Sequence, residues 1–149
     1  MFGGDNPVQK SNHEDRLTGR IIVQEAGYSR ERLQGGIFIL RLRDANPATI
    51  DAWYDDCNKL MGRWQSDQRL RYLHDIRGAE TVTPHSTDRV TRVLRRMRYI
   101  PVSDGRGAIL LNNKLIATLL ETFFKRRPRA NWQIRFFSDE TQALNWLSE

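Results

Sequence analysis

The stretch that decides the fold is the end of the chain, where residues 131–147 read NWQIRFFSDETQALNWL. Every second residue from Trp132 to Phe136 is large and apolar, which is the period-2 pattern of a strand with one buried face. Asp139 and the glutamine three residues later match a capping box, which predicts a helix over residues 140–147. A strand that leads directly into a capped helix is typical of layered α/β domains.

The same succession of strand and helix patterns runs back along the chain. Further strands are predicted over residues 20–24, 37–43, 70–77 and 106–111. An amphipathic helix is predicted after each of the last three. The order β-β-α-β-α-β-α-β-α predicts an α/β domain with a mostly parallel central sheet covered by helices. We expect residues 28–34 to form a loop and the first two strands to pair as an antiparallel hairpin.

Local signals place the helix starts and the core faces. Thr49 is predicted to cap the first helix, and Thr83 the second, because a hydroxyl side chain satisfies the free N–H groups of a helix start. Cys57 lies within the apolar stripe of the first helix, so we expect a buried structural thiol. Asn112 or Asn113 is predicted to cap the third helix. Its predicted core face consists of Leu115, Ile116, Leu119, Leu120, Phe123 and Phe124.

Length and composition bound the class of protein. The chain has 149 residues, 39% hydrophobic and 28% charged, which suits one soluble globular domain. We expect residues 1–19 to be a mobile N-terminal tail and residues 20–149 to be a single domain. No apolar run has the roughly 20 residues of a membrane helix, and the N-terminus lacks a secretory pattern. With a single cysteine and therefore no internal disulfide, the chain is predicted to be cytoplasmic.

Positive charge is the one compositional bias. The net charge is +6, which suggests an anionic partner such as nucleic acid, acidic protein or anionic lipid. Ordinary solvation of the surface is the other explanation, because 18 acidic residues are interspersed. The candidates for an anion or nucleic-acid surface are Arg89, Arg92, Arg95 and Arg96 of the second helix. Residues 125–129 add basic charge near Trp132, but the alternation around Trp132 places its ring in the predicted core.

The chain carries no catalytic or cofactor motif. It has neither Gly-x-x-x-x-Gly-Lys-Ser/Thr nor Gly-x-Gly-x-x-Gly, and residues 105–107 precede a strand, whereas a phosphate cradle follows one. The three histidines are not spaced as metal ligands. His85, Ser86 and Asp88 cluster at a helix start, where such residues usually cap the helix rather than form a triad. We therefore predict a protein without catalysis, metal or cofactor.

The best local candidate for a functional surface is the segment that joins the carboxyl end of the third predicted strand to the second helix. Binding sites of parallel sheets collect at such ends. His74 and Asp75 are adjacent on the strand, so their side chains are predicted to lie on opposite faces. The hydroxyl groups farther along suit a partner contact or phosphorylation by a kinase. The candidate residues are Asp75, Thr83, His85, Ser86, Thr87 and Asp88.

Two segments resemble the STAS superfamily (sulfate transporter and anti-sigma factor antagonist), in particular its SpoIIAA-like branch. Residues 73–78, LHDIRG, resemble that branch's strand ending in an aspartate, and residues 137–147 resemble its C-terminal strand-to-helix closure. The resemblance extends from Gly36 to the end of the chain. In that family a serine within Asp-Ser-Ser-Gly at the start of the second helix is phosphorylated. Here residues 83–88 read TPHSTD, so the motif itself is absent.

The resemblance implies a STAS or SpoIIAA-like fold and a non-enzymatic regulatory module. Such a module contacts another regulatory protein, such as a kinase or an anti-sigma factor, and Ser86 or Thr87 would take the phosphate. The same branch is related to lipid-carrier domains, so a carrier of a small apolar ligand or lipid is the first alternative. A nucleic-acid-binding protein that uses the arginine-rich helix is the second. A homodimer is left open.

Overall fold

The computed structural model describes residues 19–126 and 131–149. The predicted tail lies, except for its last residue, outside them. The strands are β1 (Arg20–Glu25), β2 (Tyr28–Arg32), β3 (Phe38–Leu42), β4 (Arg69–Asp75), β5 (Asp104–Leu110) and β6 (Trp132–Phe137). The helices are α1 (Pro47–Arg63), α2 (Pro84–Met97), α3 (Lys114–Lys125) and α4 (Glu140–Ser148), with a 3-10 turn at Arg77–Ala79.

The six strands of the described ranges form one sheet in the order β1-β2-β3-β4-β5-β6. Strands β1, β2 and β3 pair antiparallel, whereas β3, β4, β5 and β6 pair parallel. Each parallel step is bridged by a helix, because the chain must return to the same end of the sheet before it can pair in parallel. The predicted mostly parallel sheet is confirmed, with one strand more than predicted.

The additional strand, β2, corrects the prediction that residues 28–34 form a loop. Tyr28 is fully buried, and its hydroxyl donates to the carboxylate of Asp56 on α1 at 2.5 Å. Arg30, two residues on and therefore on the same face, pairs with Asp56 at 2.8 Å. The strand is polar in composition because it supplies the partners of a buried carboxylate. The predicted hairpin is also wrong in its second strand, since β1 pairs with β2 and not with β3.

Three of the predicted helix caps are confirmed and one is wrong. Thr83, Asn113 and Asp139 each accept a hydrogen bond from the first turn of their helix. Helix α1, however, begins two residues before the predicted cap Thr49. Thr49 is fully buried and accepts from the N–H of Gly27 at 2.9 Å. Its hydroxyl therefore ties α1 to the turn between β1 and β2 instead of capping the helix.

Apolar side chains pack on both faces of the sheet. On one face, α1 and α2 cover a core that includes Trp53, Trp132 and Cys57, which is buried as predicted. On the other face, α4 covers a second core through Trp146 and Leu147. The strand and helix at the end of the chain thus close the domain as their pattern predicts.

Helix α3 departs from this packing. Leu115 and Leu119 are 69% and 63% exposed. The other residues of its predicted core face are only half-buried: Ile116, Leu120, Phe123 and Phe124. The apolar stripe does turn toward the sheet, since the ring of Phe124 lies 6.3 Å from that of Phe136 on β6. The predicted face is therefore the one that turns toward the sheet, but the prediction that it is buried is wrong, because no residue of α3 is buried.

Candidate functional site

The incomplete packing of α3 leaves a cavity between α2, α3 and the sheet. Its volume is about 360 Å³, within the range of roughly 300–1,000 Å³ that is usual for small-molecule pockets. Val90 and Leu94 of α2, Ile116 and Leu120 of α3, and Ile109 of β5 are among its walls. An apolar lining of this kind accommodates hydrocarbon better than water. We refer to this space as the α2–α3 cavity.

A wider cleft of about 760 Å³ follows the other end of α3 toward β6. It shares Leu94, Met97 and Phe124 with the α2–α3 cavity as walls. Charged side chains stand at its edge, among them Arg98 and Lys125. The two spaces together run along α3, so the apolar face of this helix borders open space instead of packed side chains.

Strand β4 brings one polar ring to the floor of the α2–α3 cavity. The Nε2 atom of His74 accepts from the indole N–H of Trp53 at 3.1 Å, on the α1 side of the sheet. The rings of Tyr72 and Trp53 lie edge-on to it, with centroid distances of 5.3 and 6.1 Å. Burial lowers the pKa of His74 to about 4, so the ring is neutral at pH 7. This role of His74 is not among the sequence predictions, although the alternation along β4 is the signal that places His74 on this face.

The two residues predicted to take a phosphate, Ser86 and Thr87, differ in exposure. Thr83 and Ser86 form a reciprocal capping box. The N–H of Ser86 donates to Thr83 Oγ1 at 3.0 Å, and the N–H of Thr83 donates to Ser86 Oγ at 2.9 Å. Ser86 is buried at the edge of the cavity, so its hydroxyl becomes accessible only if the cap opens. Thr87, the next residue, is exposed.

Asp75 lies apart from these hydroxyls, on the α4 side of the sheet. Its carboxylate accepts from Arg41 at 2.5 Å and from Arg77 at 3.0 Å, and Arg41 also binds Glu140 of α4 at 2.6 Å. Burial alone would raise the pKa of Asp75, but hydrogen bonds from Arg77 and the charge of Arg41 lower it overall. Asp75 is buried and joins β3, β4 and α4 instead of facing a partner.

His85 and Arg89 turn toward α1 instead of toward solvent. The Nε2 atom of His85 lies 2.8 Å and the Nε atom of Arg89 3.2 Å from the carboxylate of Asp51. Arg89 also stands over the ring of Tyr54 at 5.0 Å. Hydrogen bonding to Asp51 raises the pKa of Arg89. These two predicted site residues therefore connect α2 to α1.

The remaining arginines of α2 differ in their partners. Asp88 binds Arg92 at 3.0 Å, one helical turn away, and Arg96 donates to Asn58 of α1 at 2.6 Å. Arg95 is exposed. Of the four arginines that the sequence suggests for nucleic acid, Arg89 and Arg92 are thus paired with acidic side chains, whereas Arg95 and Arg96 keep their charge.

Trp132 is buried in the core formed with α1 and α2, as predicted. Its ring lies edge-on to Tyr72 at 6.2 Å, so it offers no face for stacking on a base. Lys125 and Arg126 are exposed at the end of α3. The rest of the basic run, residues 127–129, lies outside the described residues.

The described residues contain neither a cluster of metal ligands nor a helix that could span a membrane. Over residues 19–126 and 131–149, no three His, Cys, Asp or Glu side chains come together as metal ligands would. None of the helices in these ranges has the length and apolar content needed to cross a bilayer.

The fold has a counterpart among solved structures. No protein-family model matches the chain, and no curated protein matches it. The chain is similar to a crystal structure from Shewanella loihica PV-4, described as an uncharacterized protein of the DUF3478 family with a SpoIIAA-like fold. Sequence identity is 17% and the TM-score is 0.55, with 84% of this chain and 96% of that chain covered. At this identity the likeness concerns the fold alone. The chain therefore has the SpoIIAA-like fold.

Proposed function

We propose that the protein is a non-catalytic binding module that holds one ligand with a hydrocarbon body in the α2–α3 cavity. The observation that carries the proposal is the packing of α3, an amphipathic helix whose apolar face lines a 360 Å³ cavity and is nowhere buried. A carrier of a small apolar ligand is the first alternative that the family resemblance implies.

A ligand in the cavity would bury apolar side-chain surface that stays exposed in the protein alone. Ile116, Leu120 and Phe124 line the cavity and are half-buried. Full burial of a side chain of this size is worth about 1.5–3 kcal/mol relative to exposure. Covering the remaining surface of these residues therefore supplies a hydrophobic driving force for binding.

The state of the nucleophilic groups supports binding over catalysis. Burial raises the pKa of the Cys57 thiol, so the reactive thiolate is disfavoured. Ser86 is held in the capping box, and His74 is already hydrogen-bonded to Trp53. None of these groups is arranged as a nucleophile beside a base.

Binding of N-phenyl-1-naphthylamine, a neutral apolar fluorophore, tests the proposal. We expect its fluorescence to rise on binding to the wild-type protein. Leu120→Trp fills part of the cavity and should lower the affinity at least tenfold. Leu115→Trp is the matched control, because Leu115 is 69% exposed on the same helix and should leave the affinity unchanged. No binding to the wild type, or an equal effect of both variants, would contradict the proposal.

A regulatory protein contact is the second candidate, favoured by exposed groups at the same rim. Val82 and Leu119 line the cavity and are 71% and 63% exposed, and Thr87, which is also exposed, lines the same cavity. A partner protein that covers this rim would bury the apolar pair. By analogy with anti-sigma factor antagonists, the partner would be a kinase or an anti-sigma factor, and Thr87 the phosphorylated residue.

Co-purification from the native cells tests this second candidate. A stoichiometric protein partner should be retained by the wild type and lost from Thr87→Asp. Thr141→Asp, an exposed threonine on α4, is the control and should retain the partner. Retention by both variants would show that phosphorylation at Thr87 does not control the contact.

A further inference from the structure

The floor of the α2–α3 cavity carries a hydrogen-bond donor whose identity is fixed. The indole N–H of Trp53 can only donate, so the Nε2 atom that it contacts at 3.1 Å is the unprotonated nitrogen of His74. The proton of the neutral ring is therefore on Nδ1. Burial keeps the ring neutral by lowering the pKa of His74 to about 4.

The Nδ1–H group of His74 has no acceptor within the described part of the chain. Over residues 19–126 and 131–149, the ring makes only the hydrogen bond with Trp53. His74 lines the cavity and keeps part of its surface accessible there. In the free protein, water that enters the open cavity can accept from this donor. A bound hydrocarbon would displace that water and leave the donor unpaired, whereas a ligand with an acceptor oxygen would keep it paired.

The charge around the cavity argues against an anionic ligand. Among the described residues that line it, none is lysine or arginine, and Glu80 is the one charged side chain. Glu80 lies between β4 and α2 and accepts from the N–H groups of Asn112 and Asn113, in the loop before α3, at 2.5 and 2.8 Å. A carboxylate held at the floor beside His74 would lose its hydration without gaining a cationic partner, because Arg98 and Lys125 line the neighbouring cleft and not this cavity.

We propose that the α2–α3 cavity selects uncharged ligands that have a hydrocarbon body and one carbonyl oxygen, and that His74 Nδ1–H donates to that oxygen. Esters and ketones belong to this class, whereas hydrocarbons and fatty-acid anions do not. Trp53 is a positioning residue, because its indole fixes which nitrogen of His74 bears the proton. This inference rests on the proposed function and adds the class of ligand to it.

Displacement of bound N-phenyl-1-naphthylamine by three probes of equal chain length tests the inference. The probes are methyl laurate, dodecane and laurate at pH 8. One neutral hydrogen bond corresponds to about a three- to tenfold preference, which is the expected advantage of methyl laurate over dodecane. Laurate should bind more weakly than methyl laurate.

Two substitutions separate recognition from structure. His74→Phe removes the donor and should reduce the preference for methyl laurate over dodecane to about one, while dodecane still binds. His74→Gln keeps an oxygen for Trp53 and an N–H for the ligand, and should restore part of the preference. The ratio of the two affinities is the readout, because a general loosening of the cavity weakens both probes alike.

A spectrum of the wild-type protein covers the case in which the variants do not fold. A long-range ¹H–¹⁵N correlation of the histidine rings reports which nitrogen is protonated. We expect a protonated Nδ1 in His74, with a signal that moves on addition of methyl laurate and not of dodecane. A ring protonated on Nε2 would overturn the inference.

The outcomes distinguish this inference from the proposed function. Equal binding of methyl laurate and dodecane overturns the role of His74 and leaves an apolar cavity. Tighter binding of laurate overturns the preference for an uncharged ligand. Failure of the fluorophore and of every probe to bind overturns the proposed function, and this inference with it.

Discussion

The two faces of the sheet carry helices with similar patterns but different packing. On one face, the nine residues of α4 include Ala143, Trp146 and Leu147, which are 0%, 5% and 1% exposed. On the other face, the twelve residues of α3 include none that is buried. An amphipathic pattern thus determines which side of a helix turns toward the sheet. Whether the space beneath is filled depends on the neighbouring elements.

Helix α4 is held at both ends by charged groups, which explains part of the difference. Glu140 at its start binds Arg41 of β3 at 2.6 Å. Near its end, Arg106 of β5 donates to the carbonyl of Trp146 at 2.9 Å and stands over the Trp146 ring at 5.4 Å. An anion at the start and a cation at the end both complement the helix dipole. These contacts fix α4 against the sheet.

Shortening one leucine on each face of the sheet should give the largest difference in unfolding free energy between the two faces. Leu147→Ala removes a fully buried side chain and should cost about 2–5 kcal/mol of unfolding free energy. Leu120→Ala, on the half-buried face of α3, should cost about 1 kcal/mol or less because that surface is already partly exposed. Urea unfolding of both variants measures the difference. Equal losses would show that the two faces are packed alike.

Acidification should lower the free energy of unfolding through His74, which lies on the face of the sheet that borders the α2–α3 cavity. The pKa of His74 falls from 6.5 to about 4 on folding. Above pH 6.5 the His74 ring is neutral in both the folded and the unfolded protein, so its full contribution to the free energy of unfolding is present. Between pH 6.5 and 4 the unfolded chain takes up a proton that the folded protein does not, so the free energy of unfolding should fall by about 3 kcal/mol. Below pH 4 both states are protonated and this loss ends.

Urea unfolding across this pH range, with two variants, isolates the effect. His74→Gln should remove most of the loss between pH 6.5 and 4. Asp75→Asn should leave it in place, because the lowered pKa of Asp75 confines its own loss of stability to pH values below 3.8. A wild-type profile that is flat from pH 6.5 to 4 would contradict the assignment.

Removing the hydroxyl of Ser86 or of Thr87, at the start of α2, should give the smallest difference in unfolding free energy between two variants. Ser86→Ala breaks the capping box and should cost about 1 kcal/mol, whereas Thr87→Ala should stay within about 0.5 kcal/mol because Thr87 is exposed. Thermal unfolding of the two variants measures the gap. Equal costs would mean that Ser86 Oγ does not support the cap.

The parts of the fold that the sequence predicts correctly depend on local interactions. Asp139 caps α4, and Thr83 caps α2, through bonds that span only three residues. The burial of Trp132 follows from alternation within a single strand. Short-range patterns of this kind need no knowledge of what lies opposite.

The parts that the sequence did not predict depend on partners distant along the chain. Tyr28 and Arg30 resemble loop residues until Asp56, more than twenty positions later, explains their burial. Thr49 resembles a cap, but its partner is Gly27. The cavity above His74 is a property of how α2 and α3 pack, which no single segment encodes. The sequence predicts a candidate surface at the carboxyl end of β4, and most of the polar residues predicted there make contacts within the protein.

Hydrogen–deuterium exchange of α3 and α4, with and without methyl laurate, tests the central claim most directly. We expect the amides of α3 to exchange faster than those of α4 in the free protein, because an incompletely packed helix opens at lower cost. Saturation with methyl laurate should slow exchange in α3 at least tenfold and leave α4 unchanged. Protection of α3 that already equals that of α4, and does not respond to the ligand, would contradict the account.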